Sequence, residues 1–388
     1  MRRILLLLTF VFALAGFGRE LAGCPLCNPA GLTLTEQLAQ ADVSVLVQWV
    51  ESQSPNTEQG FAGATTYEVV EAINDGARLY KPGARIVISR ERVGKPGDLF
   101  VLLGAGETDV VWDTPLAVTE TSYQYIKQAP SKESPAGERL KYYVRFLEYP
   151  DQMVSDDAYS EFASAPYKDI VPIRDSLSRD DLRKWVSDPD TSKMRLGLYG
   201  LLLGLCGNAD DAQLLREIIE QPAANLRLGI DGIMGGYVLL TGTDGLEVID
   251  EKLRDPDQLL SEAYSAMQVL RFLWTYAPER VPAERLRASM RTLLERSDLA
   301  DLAITDLTRW EDWSVIDRLI AMYDQPEFAS AHVRKSIIRF CLVAERVKPG
   351  TPGGQPPETA TTAKAFLAHV AETDPKSLEH AKRLFFVN

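Results

Sequence analysis

From residue 177 to the end of the chain, apolar residues recur at helical spacing in one repeating order: a buried helix, a break, a more polar helix. The segments predicted as buried helices are 194–206, 226–240, 261–276, 299–307 and 333–344. Their polar partners are predicted at 210–220, 245–253, 283–295 and 313–323. The polar helices start at Asp210, Asp244, Pro282 and Asp312, a period of about 30–40 residues. One such pair cannot bury its apolar stripe alone, whereas pairs stacked in series can. The alternative for the same helices is an irregular all-α domain. Segment 194–206 carries Gly197, Gly200 and Gly204 at three- and four-residue spacing, which lets a neighbouring helix approach closely. Segments 361–371 and 375–386 are expected to cap the array.

Upstream the period changes. Thr33 or Thr35 can cap a short helix with Glu36 in its first turn. Strands are then predicted at 43–50, 65–73, 85–92, 99–103 and 109–118, separated by glycine-, proline- and asparagine-rich turns. Five short strands with few helices predict a small closed β-barrel of the oligonucleotide/oligosaccharide-binding (OB) type over residues 24–128. Residues 129–176, punctuated by Pro130, Pro135, Pro150, Pro166 and Pro172, are expected to form a connector with helices. There Tyr142, Tyr143, Phe146 and Tyr149 are read as aromatics sealing one part onto the next rather than as a stacking surface for a ligand. The expected fold is therefore two-part: an all-β barrel followed by an all-α repeat domain over 177–388.

The order of parts in the first domain resembles the netrin-like module, the fold of tissue inhibitors of metalloproteases. The matching features begin with a cysteine pair and a helix running into Ala41-Asp42-Val43-Ser44-Val45-Leu46. Next come a long hairpin to Tyr67-Glu68-Val69, the strand in Lys95-Pro96-Gly97-Asp98-Leu99-Phe100-Val101-Leu102, and Val111-Trp112-Asp113-Thr114 before a terminal helix. The family usually starts Cys-x-Cys, each cysteine bridged to a later one in the same domain. Here the spacing is Cys-x-x-Cys, with no other cysteine before Cys206. The second domain resembles HEAT-like helical repeats in general style, without a repeat signature.

Residues 1–23 read as an export leader. Arg2-Arg3 precede an apolar run from residue 4 to 17, too short to span a bilayer comfortably. Cleavage is expected after Ala15, a small-x-small site, or after Gly23, where Leu21-Ala22-Gly23-Cys24 fits a lipobox that would acylate Cys24. Arg19-Glu20 place charges where a lipobox normally continues apolar. Cys24 and Cys27 can close a local disulfide in an oxidising compartment. Thioredoxin-type chemistry needs the first cysteine at a helix N-terminus, whereas Pro29 and Gly31 follow here; a zinc site would need two further ligands.

A net charge of -13 repels a phosphate backbone, so nucleic acid is not an expected partner. The three histidines, His332, His369 and His380, all fall in the last quarter of the chain, and no nucleophile-base set is recognisable. Asp210, Asp211, Glu217 and Glu220 are read as an exposed acidic helix face, and glycines 232–236 lack the lysine of a phosphate loop. Cys206 and Cys341 are read as small buried hydrophobes, with a bridge between them left open. No catalytic, cofactor or metal residues are expected. The function expected is that of an exported cell-envelope binding or scaffold protein with a protein partner, touching membrane only through lipid at Cys24. The alternatives are a secreted protease inhibitor acting through a free Cys24 amine and a thiol oxidoreductase using Cys24 and Cys27.

Overall fold

The computed structural model describes residues 23–27, 31–56, 58, 60–76, 78–106, 109–346 and 357–385. The expected leader, with its cut after Ala15 and lipobox residues Leu21 and Ala22, lies outside the described residues.

Helix α1 (Leu34–Gln40) is started by a reciprocal cap: Thr33 accepts from the Glu36 amide while the Glu36 carboxylate accepts from the Thr33 amide. The sheet follows, with β1 (Val43–Gln53), β2 (Ala64–Asp75), β3 (Arg85–Ile88), β4 (Leu99–Ala105), β5 (Val111–Trp112) and β6 (Leu116–Val118). All pairings are antiparallel, in the order β3-β2-β1-β4-β5, with β6 also on β4. The period of two sorts the side chains onto two faces. Val43, Val45, Val47, Phe100 and Leu102 join Tyr67, Val69 and Ile86 in a small core closed by Trp49, Tyr80 and Trp112. Leu46, Val101 and Val118 point the other way, into the core shared with the helices.

The sheet is open, which overturns both the closed barrel and the netrin-like resemblance. Among the described residues no pairing joins β3 to β5 or β6. The physical reason lies in the strand predicted at 109–118. It breaks at residues 113–115, where Pro115 supplies no amide donor. Both fragments then lie along one edge of β4, β5 opposite Gly104–Ala105 and β6 opposite Leu99–Val101, so neither crosses to β3. Helices, not further strands, cover the inner face.

Those helices are α2 (Glu120–Gln128), α3 (Ala136–Tyr143), α4 (Gln152–Ala163) and α5 (Tyr167–Ile170). Glu71 on β2 accepts from the Tyr123 hydroxyl at 3.0 Å and Lys127 Nζ at 2.7 Å, which fixes α2 to the sheet. Tyr125, Tyr142, Tyr143, Phe146 and Tyr149 pack ring on ring, as a seal would. Arg195 then ties this layer to the array, donating to Leu147 O at 2.7 Å, Ser155 Oγ at 3.0 Å and Asp156 Oδ1 at 2.6 Å.

Asp157 sits at the centre of the joint. Its carboxylate accepts the Leu34 amide of α1 and the Tyr125 hydroxyl of α2, each at 2.6 Å. Burial pushes its carboxyl up to about 6, against those two hydrogen bonds, which favour the charged form. The folded state therefore holds a proton that the unfolded chain releases near pH 4. That stabilisation is complete below about pH 4 and is lost as pH rises through about 6, roughly 3 kcal/mol in all at 1.4 kcal/mol per pKa unit. Denaturant unfolding of the parent and of Asp157→Asn should show the variant gaining on the parent by about that amount between pH 4 and 7.5. A difference that does not move with pH contradicts this account.

The array comprises α6 (Arg179–Ser187), α7 (Leu196–Cys206), α8 (Ala209–Glu220), α9 (Ile230–Thr241), α10 (Leu246–Arg254) and α11 (Leu260–Tyr276). It continues with α12 (Ala283–Thr292), α13 (Ala300–Arg309), α14 (Ile316–Tyr323), α15 (Ala331–Ala344), α16 (Pro357–Thr373) and α17 (Pro375–Phe385). One row runs α7-α9-α11 and α13-α15-α17, each member packed on the next. Trp274 stacks on Trp310 at 4.4 Å between ring centroids, linking α11 to the end of α13. The second row packs on the first through α6–α7, α8–α9, α10–α11, α12–α13 and α14–α15. A helical region thus follows a small antiparallel sheet, as expected from the change of period.

Candidate functional site

The closest approach in the array is between α7 and α9, and glycine makes it. A Cβ at Gly200 would stand 2.8 Å from Ile233 Cα, and one at Gly229 only 2.5 Å from the Gly197 amide. Gly232 and Gly236 face the carbonyls of Gly197 and Gly200 with still less room. Gly229 also has φ +76°, a left-handed conformation that ends the α8–α9 loop and starts α9. That turn corrects the helix predicted from residue 226: Leu226 and Leu228 lie in the loop. Arg227 between them holds the loop down, donating to Ile218 O at 2.7 Å and Ile219 O at 3.2 Å at the end of α8 and pairing with Glu262 on α11.

This arrangement opens a groove of about 590 Å³. Val186 of α6 and Leu196 of α7 form one wall, Leu214 and Ile218 of α8 another, and Leu226, Leu228, Ile230 and Ile233 the third. Asp188, Lys193 and Gln221 are its polar groups besides Arg227 and Ser187. The size and the mostly apolar lining with a few polar groups are those of a binding cleft. Of its lining, Leu226 (64% exposed) and Leu228 are open to solvent, and exposed apolar side chains outside it are Met194 before α7 (45%) and Leu260 (50%) and Tyr264 at the start of α11. They share one edge because α7, α9 and α11 pack side by side and Arg227 joins the α9 loop to the first turn of α11. A second hollow, of about 560 Å³ between α1, β6 and α4, is lined by Gln37, Gln152, Asp156 and Asp157 beside apolar groups. It is the more polar of the two.

Cys24 and Cys27 are brought together as a disulfide with 5.3 Å between their Cα atoms. Their turn is not left at the surface. It packs into the helices, with Cys24 6% and Leu26 3% exposed. The Cys24 amide donates to Ala163 O at 2.9 Å, at the end of α4. Cys24, the first of the pair, is followed by a turn over 25–26 and not by a helix, and Cys27 is half-buried.

Cys206 and Cys341 are not bonded to each other. Burial pushes their thiols up to about 11 and about 12, so both stay protonated at neutral pH. The acidic residues of α8 part company. Asp210 is exposed, Glu217 accepts from Gln213 and Glu220 from Arg216. Asp211, expected on the exposed face, is fully buried. Burial raises its carboxyl, but Arg179, the Asn208 amide and Arg183 outweigh that and hold it below the usual range. His332 is exposed. Among the described residues no group of three or more His, Cys, Asp or Glu is placed to hold a metal ion.

Sequence reasoning missed a ladder of buried carboxylates, each paired with an arginine from another part of the array. The pairs are Arg179–Asp211, Arg227–Glu262, Arg271–Asp306, Asp250–Arg285 and Arg291–Asp312. Three of them are 35 residues apart, so one unit of the array reaches the same place in the next. That recurring separation of opposite charges was the available signal.

No family model matches the chain, and no curated protein does. Among solved structures, human deoxyhypusine hydroxylase in complex with glycerol is similar at 12% identity, covering 68% of this chain and 94% of its own, with a TM-score of 0.26.

Proposed function

We propose that the chain is a non-catalytic binding module of the cell envelope, and that the groove between α6, α7, α8 and α9 receives apolar side chains of a protein partner. The observation that carries this reading is the groove together with its edge of exposed apolar residues, from Met194 to Tyr264. An edge of this kind on a chain of net charge -13 is the usual mark of an interaction site. The array is read as a solenoid: helices alternate between two rows, and buried pairs recur 35 residues apart. Such arrays offer extended surfaces to other proteins. Export is supported by the basic and apolar leader sequence and by a cysteine pair suited to an oxidising compartment.

The test is cross-linked capture from envelope extract, with the parent and with Leu226→Asp/Leu228→Asp. Both changed residues are exposed loop positions, so the variant should unfold within about 0.5 kcal/mol of the parent. The expected result is a discrete partner held by the parent and reduced at least tenfold with the variant. A parent that captures nothing, or a variant that captures the same partner equally well, refutes the reading.

A further inference from the structure

The turn at residues 23–27 touches the same helices that wall the groove. Leu26 O lies against Gly197, where a Cβ would come within 2.6 Å of it, and the Leu26 side chain fills the space left by Gly235 at 2.5 Å beside Phe272. Gly197 follows the groove residue Leu196 in α7, and its other neighbour is Gly229, between Leu228 and Ile230. The turn is thus a plug wedged where α7 and α9 begin, behind the groove wall. Two things shape the plug: the Cys27 amide donating to Cys24 O at 3.2 Å, and the disulfide. The Cys24 amide on Ala163 O anchors the start of the turn to α4, and within residues 23–27 the disulfide is the covalent link that closes the turn around Leu26.

We propose that the Cys24–Cys27 disulfide is a redox latch for the groove. Closed, it holds Leu26 in the glycine-lined socket and fixes the starts of α7 and α9. Opened, it releases Leu26, and the groove wall loosens. The opening step is a thiol–disulfide exchange with an external dithiol. One thiolate of the dithiol attacks Sγ of Cys27, the less buried of the two residues, and the S–S bond breaks with Sγ of Cys24 leaving as thiolate. The second thiol of the dithiol then resolves the mixed disulfide. Two electrons and two protons pass to the cysteines, which end as thiols, and the dithiol ends as a disulfide. Cys206 and Cys341 take no part, since both are already free and protonated.

The coupling rests on the groove being the binding site, but the latch can be read without any partner. Hydrogen–deuterium exchange of the purified full chain is followed before and after reduction with a phosphine. The expected result is amide exchange at least tenfold faster over 196–204 and 230–239 after reduction, with α13 and α15 unchanged. Oxidised Leu26→Ala should reproduce the loosening with its disulfide intact. Cys24→Ser/Cys27→Ser should exchange like the reduced parent and ignore the phosphine. Equal exchange in the oxidised and reduced parent overturns the latch, and this comparison needs no variant to fold. A Leu26→Ala protein that stays as rigid as the oxidised parent also overturns it, because the bond would then not act through Leu26. If exchange responds to reduction while the Leu226→Asp/Leu228→Asp variant captures as well as the parent, the latch stands and the proposed binding role falls.

Discussion

Gly236→Ala should destabilise the protein by about 3 kcal/mol or more, measured by urea unfolding against the parent. A Cβ at this position would lie 2.7 Å from the Gly200 carbonyl carbon and closer still to its oxygen. Both groups are backbone in the middle of packed helices, so no side-chain rotation relieves the clash. The helices must separate, and every apolar contact along α7 and α9 is then strained, because protein interiors transmit such shifts rather than absorb them. Alanine is intrinsically the better helix former by about 1 kcal/mol, so a net loss isolates the packing term from helix propensity. Gly76→Ala is the control: nothing lies within 4 Å of its added carbon, and the expected change is within about 0.5 kcal/mol. An unchanged midpoint for Gly236→Ala would show that the two helices do not meet through their glycines.

Removing one member of the Arg227–Glu262 pair should be nearly as damaging. Glu262 is fully buried on α11 and accepts from two of the three Arg227 guanidinium nitrogens, Nε at 2.9 Å and Nη2. Arg227→Met leaves that carboxylate without its counter-charge and removes the donors to Ile218 O and Ile219 O. The expected loss is about 3–5 kcal/mol, the range for breaking a buried pair from one side. Arg227→Met/Glu262→Leu should recover much of it, because two apolar side chains in that space carry no desolvated charge. The double-mutant cycle decides the point: an additive double variant would mean that the two residues do not act as a pair. Since Arg227 also pins the loop carrying Leu226 and Leu228, the single variant should disturb the groove edge as well.

What could be read from the chain follows the range of the interactions involved. Gly197, Gly200 and Gly204 announce a close helix contact because their spacing lies within one helix. The caps at Thr33 and Ser178 are legible for the same reason: each involves residues three positions apart. The candidate site is another matter. Its walls come from four helices and a loop that the apolar pattern assigns to a helix, because Leu226 and Leu228 read as core until the turn at Gly229 exposes them. Asp211 fails in the opposite direction. Its own helix places it among acids, and Arg179 and Arg183, 32 and 28 residues away, supply the charge that offsets its burial.

By itself the sequence determined the change from strands to helices and the alternation of buried and polar helices, since these depend on neighbours along the chain. The tertiary structure alone decided that the sheet stays open, that Leu26 and its disulfide sit behind a groove, and that five buried carboxylates meet arginines. Each of these depends on distances between residues far apart in sequence. Periodicity tells which face of an element is apolar, and it carries no information about which other element will cover that face.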